Sequence, residues 1–419
     1  MRFGVFYELQ LPKPWTEDDE HRLVQEALDQ IVLADELGID YAWAVEHHFL
    51  EEYSHCSAPE TFLAAAAART KNIRVGHGIR QVIPSYNHPA RTAEVVSMLD
   101  LVSNGRAQLG FGEGATRSEL HGFSIKAKTK RTAAIEAVEQ VANMMTMTPY
   151  PGFEGEFFSF PCRNVVPKPM QKPHPPLWMA CSNRETIKVA ASLGVGALAF
   201  AFVNPEEAKH WADIYYGIIK SDACKPIGHA VNANIAMVSS FSVHHDRSEA
   251  IRRGQDGFEF FGYSLGSLVT KDTKPGHTTL WKDFHDIRGN KTEEIVRTAA
   301  LDPEYSSGIG TPDDIRRHLY EFEKAGVDQV IFLQQAGRNR HDQICDALKL
   351  FADEVLPEFK AEQAEKDAAK AAELAPYLEA AMARKDWMPE LAEDEVPVIS
   401  ASRTKETFAA ARSGRVKTG

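Results

Sequence analysis

Tyr41–Leu50 reads YAWAVEHHFL, an apolar run that ends in a carboxylate and two adjacent histidines. The apolar half has the composition of a buried strand, and the polar half falls where that strand would emerge. The chain around it repeats one rhythm. RFGVF from Arg2 reads as a first strand, and Glu17–Leu37 as an amphipathic helix stopped by Gly38. DYAWAV is the second strand, with an alanine-rich helix over Pro59–Thr70. NIRVGHGI and GRAQLGFG are the third and fourth, with helices over His88–Ser103 and Lys130–Met147. PLWMAC, GALAFAF and NANIAMVSSFSV follow, with helices to Leu193, over Pro205–Ser221, and from Arg247 onward. DQVIFLQ is the eighth, with a helix from His341 to about Phe359. Eight strands, each followed by a helix, predict an α/β fold, the closed (β/α)8 TIM barrel.

The expected barrel occupies residues 1–359 with two insertions. One, about 148–176, is proline-rich and reads as an irregular loop or short hairpin. The other runs from about Gly257 to Gly310 and precedes a helix at TPDDIRRHLYEFEKAG, with Thr311 as N-cap and Pro312 at the first helical position. Residues 360–419 form an extension, first rich in Ala, Glu and Lys and so expected as a solvated helix, then polar and expected to be poorly ordered.

Composition narrows the function. The chain has 419 residues, 43% apolar and 25% charged, ordinary for a globular protein with a sizeable core. A net charge of -12 argues against a nucleic-acid surface. The start, MRFGVFYELQLPKPW, lacks the apolar core of a signal peptide, and no run is long enough to span a bilayer, so the expected location is cytoplasmic. Five scattered cysteines without a CxxC pair suit a reducing compartment and offer no zinc site.

In such a barrel the active site lies at the C-terminal ends of the strands. Glu46, His47 and His48 sit at the end of the second. Adjacent strand residues point to opposite faces, so the two histidines are poorly placed to grip one metal ion. The pair reads either as packed, hydrogen-bonded side chains or as a proton carrier at the barrel mouth, since histidine titrates near neutral pH. The glycine-rich end of the fourth strand, GFGEG, lets backbone approach a planar ligand, but it lacks the strand–GxGxxG–helix context of a dinucleotide fold.

AWAVEHHF, NHPARTAEVVSMLDLVSNGR, LGFGEG and PKPMQKPHPPLWMACSN, in that order, resemble the bacterial luciferase-like flavin monooxygenases, and the likeness runs from Arg2 to about Phe359. The resemblance implies an enzyme that takes reduced FMN from a separate NAD(P)H:flavin reductase, reacts it with O2 to a C4a-peroxyflavin, and oxidises a small hydrophobic substrate. It makes His47, Glu46 and Glu94 the candidate catalytic residues, with a structural role equally open for Glu94. It makes Gly78 and Ile79 a strand-end peptide against the isoalloxazine. Arg131, Ser182, Asn183, Arg184 and Thr186 become candidates for the phosphate, with Cys181 and Glu113 beside them. Arg184 is read equally as a solvated surface arginine. Glu113 departs from the family, which has an arginine there, and a carboxylate would repel a phosphate. Glu119 matches an acidic family position, or serves as a helix-start carboxylate. A homodimer through helices near the second and third strands is also implied.

Three other functions compete: an F420-dependent reductase or dehydrogenase on the same barrel, a non-catalytic flavin-binding protein, and a metal-dependent barrel hydrolase. Phe258, Phe260, Phe261, Tyr263, Leu265, Trp281 and Phe284 read either as core or as an apolar lid over a hydrophobic substrate.

Overall fold

The computed structural model describes residues 1–399. Eight parallel strands close into a barrel in sequence order: β1 (Arg2–Tyr7), β2 (Tyr41–Ala44), β3 (Arg74–Gln81), β4 (Ala107–Gly112), β5 (Leu177–Cys181), β6 (Gly196–Ala199), β7 (Ile235–Ser240) and β8 (Gln329–Gln335). β1 closes the ring by pairing with β8 on one side and β2 on the other. The expected strands and helices are present, with ends shifted by a few residues.

Small residues shape the barrel interior. The Trp43 indole fills it and meets Trp178 edge-on, with centroids 5.5 Å apart. It fits because Gly76 lies beside it: a Cβ there would come within 2.4 Å of the ring. Helices pack outside. The helix Pro89–Val102 is followed by a tight turn, with Asn104 and Gly105 both in the left-handed region at φ 54° and 79°.

Four segments differ from expectation. The proline-rich segment resolves to the hairpin alternative, Tyr150–Glu154 against Ser159–Arg163. The second insertion does not start at Gly257, because the helix after β7 runs unbroken over Arg247–Thr270. Gly257 is there for packing, since a Cβ would fall 2.4 Å from the Ala336 carbonyl after β8. The insertion proper begins after Thr270 and carries the helices Leu280–Arg288 and Lys291–Ala300. The last barrel helix breaks at Val355 into His341–Glu354 and Leu356–Ala361, because Pro357 opens a new first turn. The helix Pro312–Lys324 carries its predicted Thr311 cap, with Asp314 completing a capping box.

The extension helix Gln363–Ala383 is docked rather than solvated all round. It lies at the N-terminal ends of the strands, where Lys370 pairs with Asp328, Lys366 with Glu323 and Asp367 with Arg2. Its own Leu374 and Ala381 are buried against the barrel. The polar end, 400–419, lies outside the described residues. Among the described residues no helix is long and apolar enough to cross a membrane, and no cluster of His, Cys, Asp and Glu could hold a metal ion.

Candidate active site

A cavity of about 260 Å³ opens at the C-terminal ends of the strands. Its walls come from the ends of β1 to β6 and from the helix Arg247–Thr270. Most of that lining is apolar: Val45, Ile79, Phe111, Met179, Phe200 and Phe261.

His47 reaches this cavity and His48 does not. The alternation at the end of β2 separates them. His48 turns toward Tyr86 and Phe123 and bonds Glu46 Oε1 through Nε2 at 3.1 Å. The His47 ring instead lies between two carboxylates. Nδ1 is 3.0 Å from Glu119 Oε1, and Nε2 is 3.8 Å from Glu8 Oε2. Its backbone is fixed by a bond to the Cys56 carbonyl at 3.0 Å.

Both carboxylates are anchored. Thr116 donates its hydroxyl to Glu119 Oε2 at 2.6 Å, and the His48 amide donates to Oε1 at 3.0 Å. Glu119 is fully buried at the start of the helix Arg117–Gly122, where the helix-start reading put it. Tyr53 donates to Glu8 Oε1 at 2.9 Å. Glu8 Oε2 is buried with no hydrogen-bond partner.

This geometry sets the protonation. Burial pulls the His47 pKa down, but the charge of Glu8 and the bond and charge of Glu119 outweigh it and hold it at about 9. Burial pushes Glu8 up to about 7, against the lowering effect of His47 and Tyr53. Burial also opposes charge on Glu119, but the bonds from His47, Thr116 and His48 prevail and keep its pKa below the ordinary range. Near neutral pH these effects favour a charged His47 ring held by the ionised Glu119 and facing Glu8, whose own carboxyl is pushed into the range where it gains a proton.

Glu46 lines the cavity wall, but both its oxygens are engaged. Asn87 donates to Oε1 at 2.8 Å and the Gln81 amide to Oε2 at 3.0 Å. These bonds tie the β2 and β3 ends together. Glu94 is not in the cavity. It sits on the helix Pro89–Val102 and pairs with Arg91 one turn back, the structural alternative.

Gly78 and Ile79 form the cavity floor, and the peptide bond between them is cis. The β3–β4 register shifts between His77 and Arg80 at this point. Gly112 is held against Ile79, where a Cβ would come 2.4 Å from Ile79 Cδ1.

Across the mouth, Lys130 and Arg131 at the start of the helix Lys130–Thr146, Ser182 after β5 and Thr186 in the helix Arg184–Ser192 line the rim. Glu113 resolves the expected repulsion by pairing: it accepts from Arg131 at 3.2 and 3.1 Å, and Lys130 lies 3.5 Å away. The helix Arg184–Ser192 has a capping box instead of an open N-terminus. Asn183 Oδ1 accepts from the Thr186 amide, and Thr186 Oγ1 accepts from the Ser182 and Asn183 amides. Asn183 is therefore a cap. Arg184 lies outside the cavity, paired with Glu207, as its solvated reading holds. Cys181 lines the wall as a neutral thiol, since burial pushes it up to about 12.

Glu8, Tyr53 and Lys130 escaped the sequence reading. Glu8 follows β1 as Glu46 follows β2, so the strand-end rule that singled out His47 reaches it too. Nothing local marks Tyr53; it arrives through the loop after β2.

The donor set fits a planar ligand with an anionic tail: apolar walls, glycine backbone at van der Waals range, and two cations with hydroxyls at one rim. Residues 1–329 match the luciferase-like monooxygenase family. Protein y4wF of Sinorhizobium fredii is 30% identical over 197 residues, covering 46% of this chain and 54% of that protein. The oxygenase component of a flavin-dependent trigonelline monooxygenase from Acinetobacter baylyi is 24% identical over 370 residues, covering 86% and 96%. Monooxygenase RslO1 from Streptomyces bottropensis superposes with a TM-score of 0.69 at 26% identity, covering 86% of this chain and all (100%) of that one. A coenzyme F420-dependent tetrahydromethanopterin reductase from Methanopyrus kandleri shares the fold, with a TM-score of 0.59 at 22% identity over 85% and 99%. The chain belongs to the luciferase-like monooxygenase family.

Proposed function

We propose that this chain is the oxygenase component of a two-component system. It takes reduced FMN from a separate reductase and, with O2, inserts one oxygen atom into a small hydrophobic molecule. The observation that carries this reading is the His47 ring, fixed by Glu119 and lining an apolar cavity whose other rim carries Lys130 and Arg131. When bound, reduced flavin supplies the electrons that activate oxygen.

This chain's own residues bind, orient and shelter. Arg131, Lys130 and the Ser182 hydroxyl would hold the phosphate once Glu113 yields its partners. Ile79, Phe111 and Met179 would sandwich the ring. Phe200, Phe261 and Leu265 line the cavity and would pack against a hydrophobic substrate; Phe261 and Leu265 do so from the unbroken helix Arg247–Thr270 and not from a separate insertion. Phe260, Trp281 and Phe284 pack with one another in a small separate core, so the core reading holds for them. His47 holds a proton at Nε2, ready to stabilise negative charge developing on oxygen.

The relative from Acinetobacter baylyi, itself an oxygenase component, supports the two-component reading. The F420-dependent reductase that shares the fold keeps a second reading, hydride transfer with F420, in view. Labelled dioxygen separates them. Incorporation of one 18O atom into product, with reduced FMN regenerated by an added flavin reductase, is the expected result. Turnover under strict anaerobiosis with F420 and no label would establish the reductase instead. In the oxygenase, His47→Ala should bind reduced FMN nearly as well while releasing peroxide in place of product.

A further inference from the structure

Glu8 is the one carboxylate in the His47 array that is not saturated. Its Oε1 is held by Tyr53, its backbone carbonyl by the Ser54 hydroxyl at 2.7 Å, and its Oε2 is fully buried with no partner. That oxygen lies 3.8 Å from His47 Nε2, about 1 Å beyond a charge-assisted hydrogen bond. Glu8 also lines the cavity. A carboxylate so placed has two possible destinations for its proton, the imidazole and the molecule in the cavity.

Resting on the oxygenase reading, we propose that Glu8 is a further proton-carrying residue of the reaction, paired with His47 as a relay that delivers one proton to an oxygen atom in the cavity. In the step, the N–H bond at His47 Nε2 breaks and an O–H bond forms on the acceptor oxygen. The Glu8 carboxylic acid then gives its proton to Nε2 and is left as the carboxylate. Solvent re-protonates it when the cavity next opens. No electron is exchanged, and one proton enters for each one delivered.

The surroundings suit this. The titratable groups facing Glu8 are His47 from the end of β2, Tyr53 and Cys56 from the loop that follows, and Glu119 from the helix Arg117–Gly122. Tyr53 and Cys56 are held neutral, since burial raises both well above their ordinary values. Glu119 is held ionised. The mobile proton is thereby confined to Glu8 and His47, and the raised value of Glu8 places its release near the pH at which the enzyme would work.

Two measurements test it. Flavin-free protein with 13C-labelled histidine is titrated by NMR, with His47 assigned through His47→Gln. Glu8→Gln should move the His47 titration down by at least one pH unit, and Glu8→Asp, the variant kept in case the amide misfolds, by less. An unmoved titration in either folded variant overturns the relay while leaving the flavin reading intact. The second measurement is product formed per O2 consumed, against pH. Its alkaline limb should fall earlier in Glu8→Gln, in step with the NMR shift. A shifted titration with an unshifted limb would show that the pair shares a proton but does not deliver it, and would also overturn the proposal.

Discussion

Arg131 lays its guanidinium across both oxygens of Glu113, at 3.2 and 3.1 Å, on the rim where a flavin phosphate would bind. The pair holds that cation in reserve. A phosphate must displace Glu113 and lie beside its charge. Glu113→Gln should therefore tighten FMN by about 1 kcal/mol, the upper range for an exposed ion pair, and leave riboflavin unchanged. Arg131→Ala should weaken FMN by roughly 1–3 kcal/mol, again without effect on riboflavin. Fluorescence titration with the two flavins reads both. An equal change for riboflavin would place the phosphate elsewhere.

The motif residues divide between chemistry and scaffold. Arg106, in the SNGR run, never approaches the cavity. Its guanidinium donates to the backbone carbonyls of Ala67, Thr70, Ile73 and Ser103, tying three segments together. Asp100 likewise accepts from the Gln171 amide. A pattern that identifies the family thus records how the barrel is buttressed as much as what it catalyses. The strand–helix rhythm and the strand-end rule were enough to find the barrel and His47, because both depend on local periodicity. Glu8 and Tyr53 meet only when the loop after β2 folds back over β1, a long-range event that no local pattern encodes. Arg184 and Asn183 show the reverse: adjacency to Ser182 in sequence does not decide whether a side chain points inward, pairs at the surface or caps its own helix.

Two glycines on β4 should separate folding from binding. At Gly110 a Cβ would meet the His77 carbonyl at 2.2 Å and Leu198 at 2.8 Å, and backbone cannot step aside. Gly110→Ala should cost about 1–3 kcal/mol or more in stability by urea unfolding. At Gly112 the obstacle is the Ile79 side chain, which can turn into the cavity. Gly112→Ala should lower flavin affinity with a smaller loss of stability. The reverse ranking would mean that Ile79 does not face the ligand.

The extension helix binds the base of the barrel, away from the cavity. Ending the chain at residue 362 removes Lys366, Lys370 and Asp367 and uncovers the surface beneath Leu374 and Ala381. The melting temperature should fall by several degrees, from lost burial more than from lost ion pairs. FMN affinity at 20 °C should hold within about twofold, a change worth under roughly 0.5 kcal/mol. A large loss of affinity in a folded truncation would tie the extension to the site.

The protonated site should also leave a mark on stability. His47 has a folded value near 9, above its ordinary 6.5, so folding retains a proton that the unfolded chain releases between those values. Stability from His47 is complete below about pH 6.5 and is lost as the pH rises through about 9. Glu8, raised from 4.5 to about 7, acts with the same sign over that lower window. Glu119 acts oppositely: its value is lowered, so its contribution is present above pH 4.5 and is lost as the pH falls through its folded value. Between pH 6.5 and 9 the slope should approach about 1.4 kcal/mol per pH unit, the value for one retained proton. The double substitution Glu8→Gln with His47→Gln should flatten it. Calorimetric melts of both proteins across that range provide the comparison. Parallel curves would show that His47 does not keep its proton in the folded protein, and the imidazolium would have to be abandoned as the group facing the cavity.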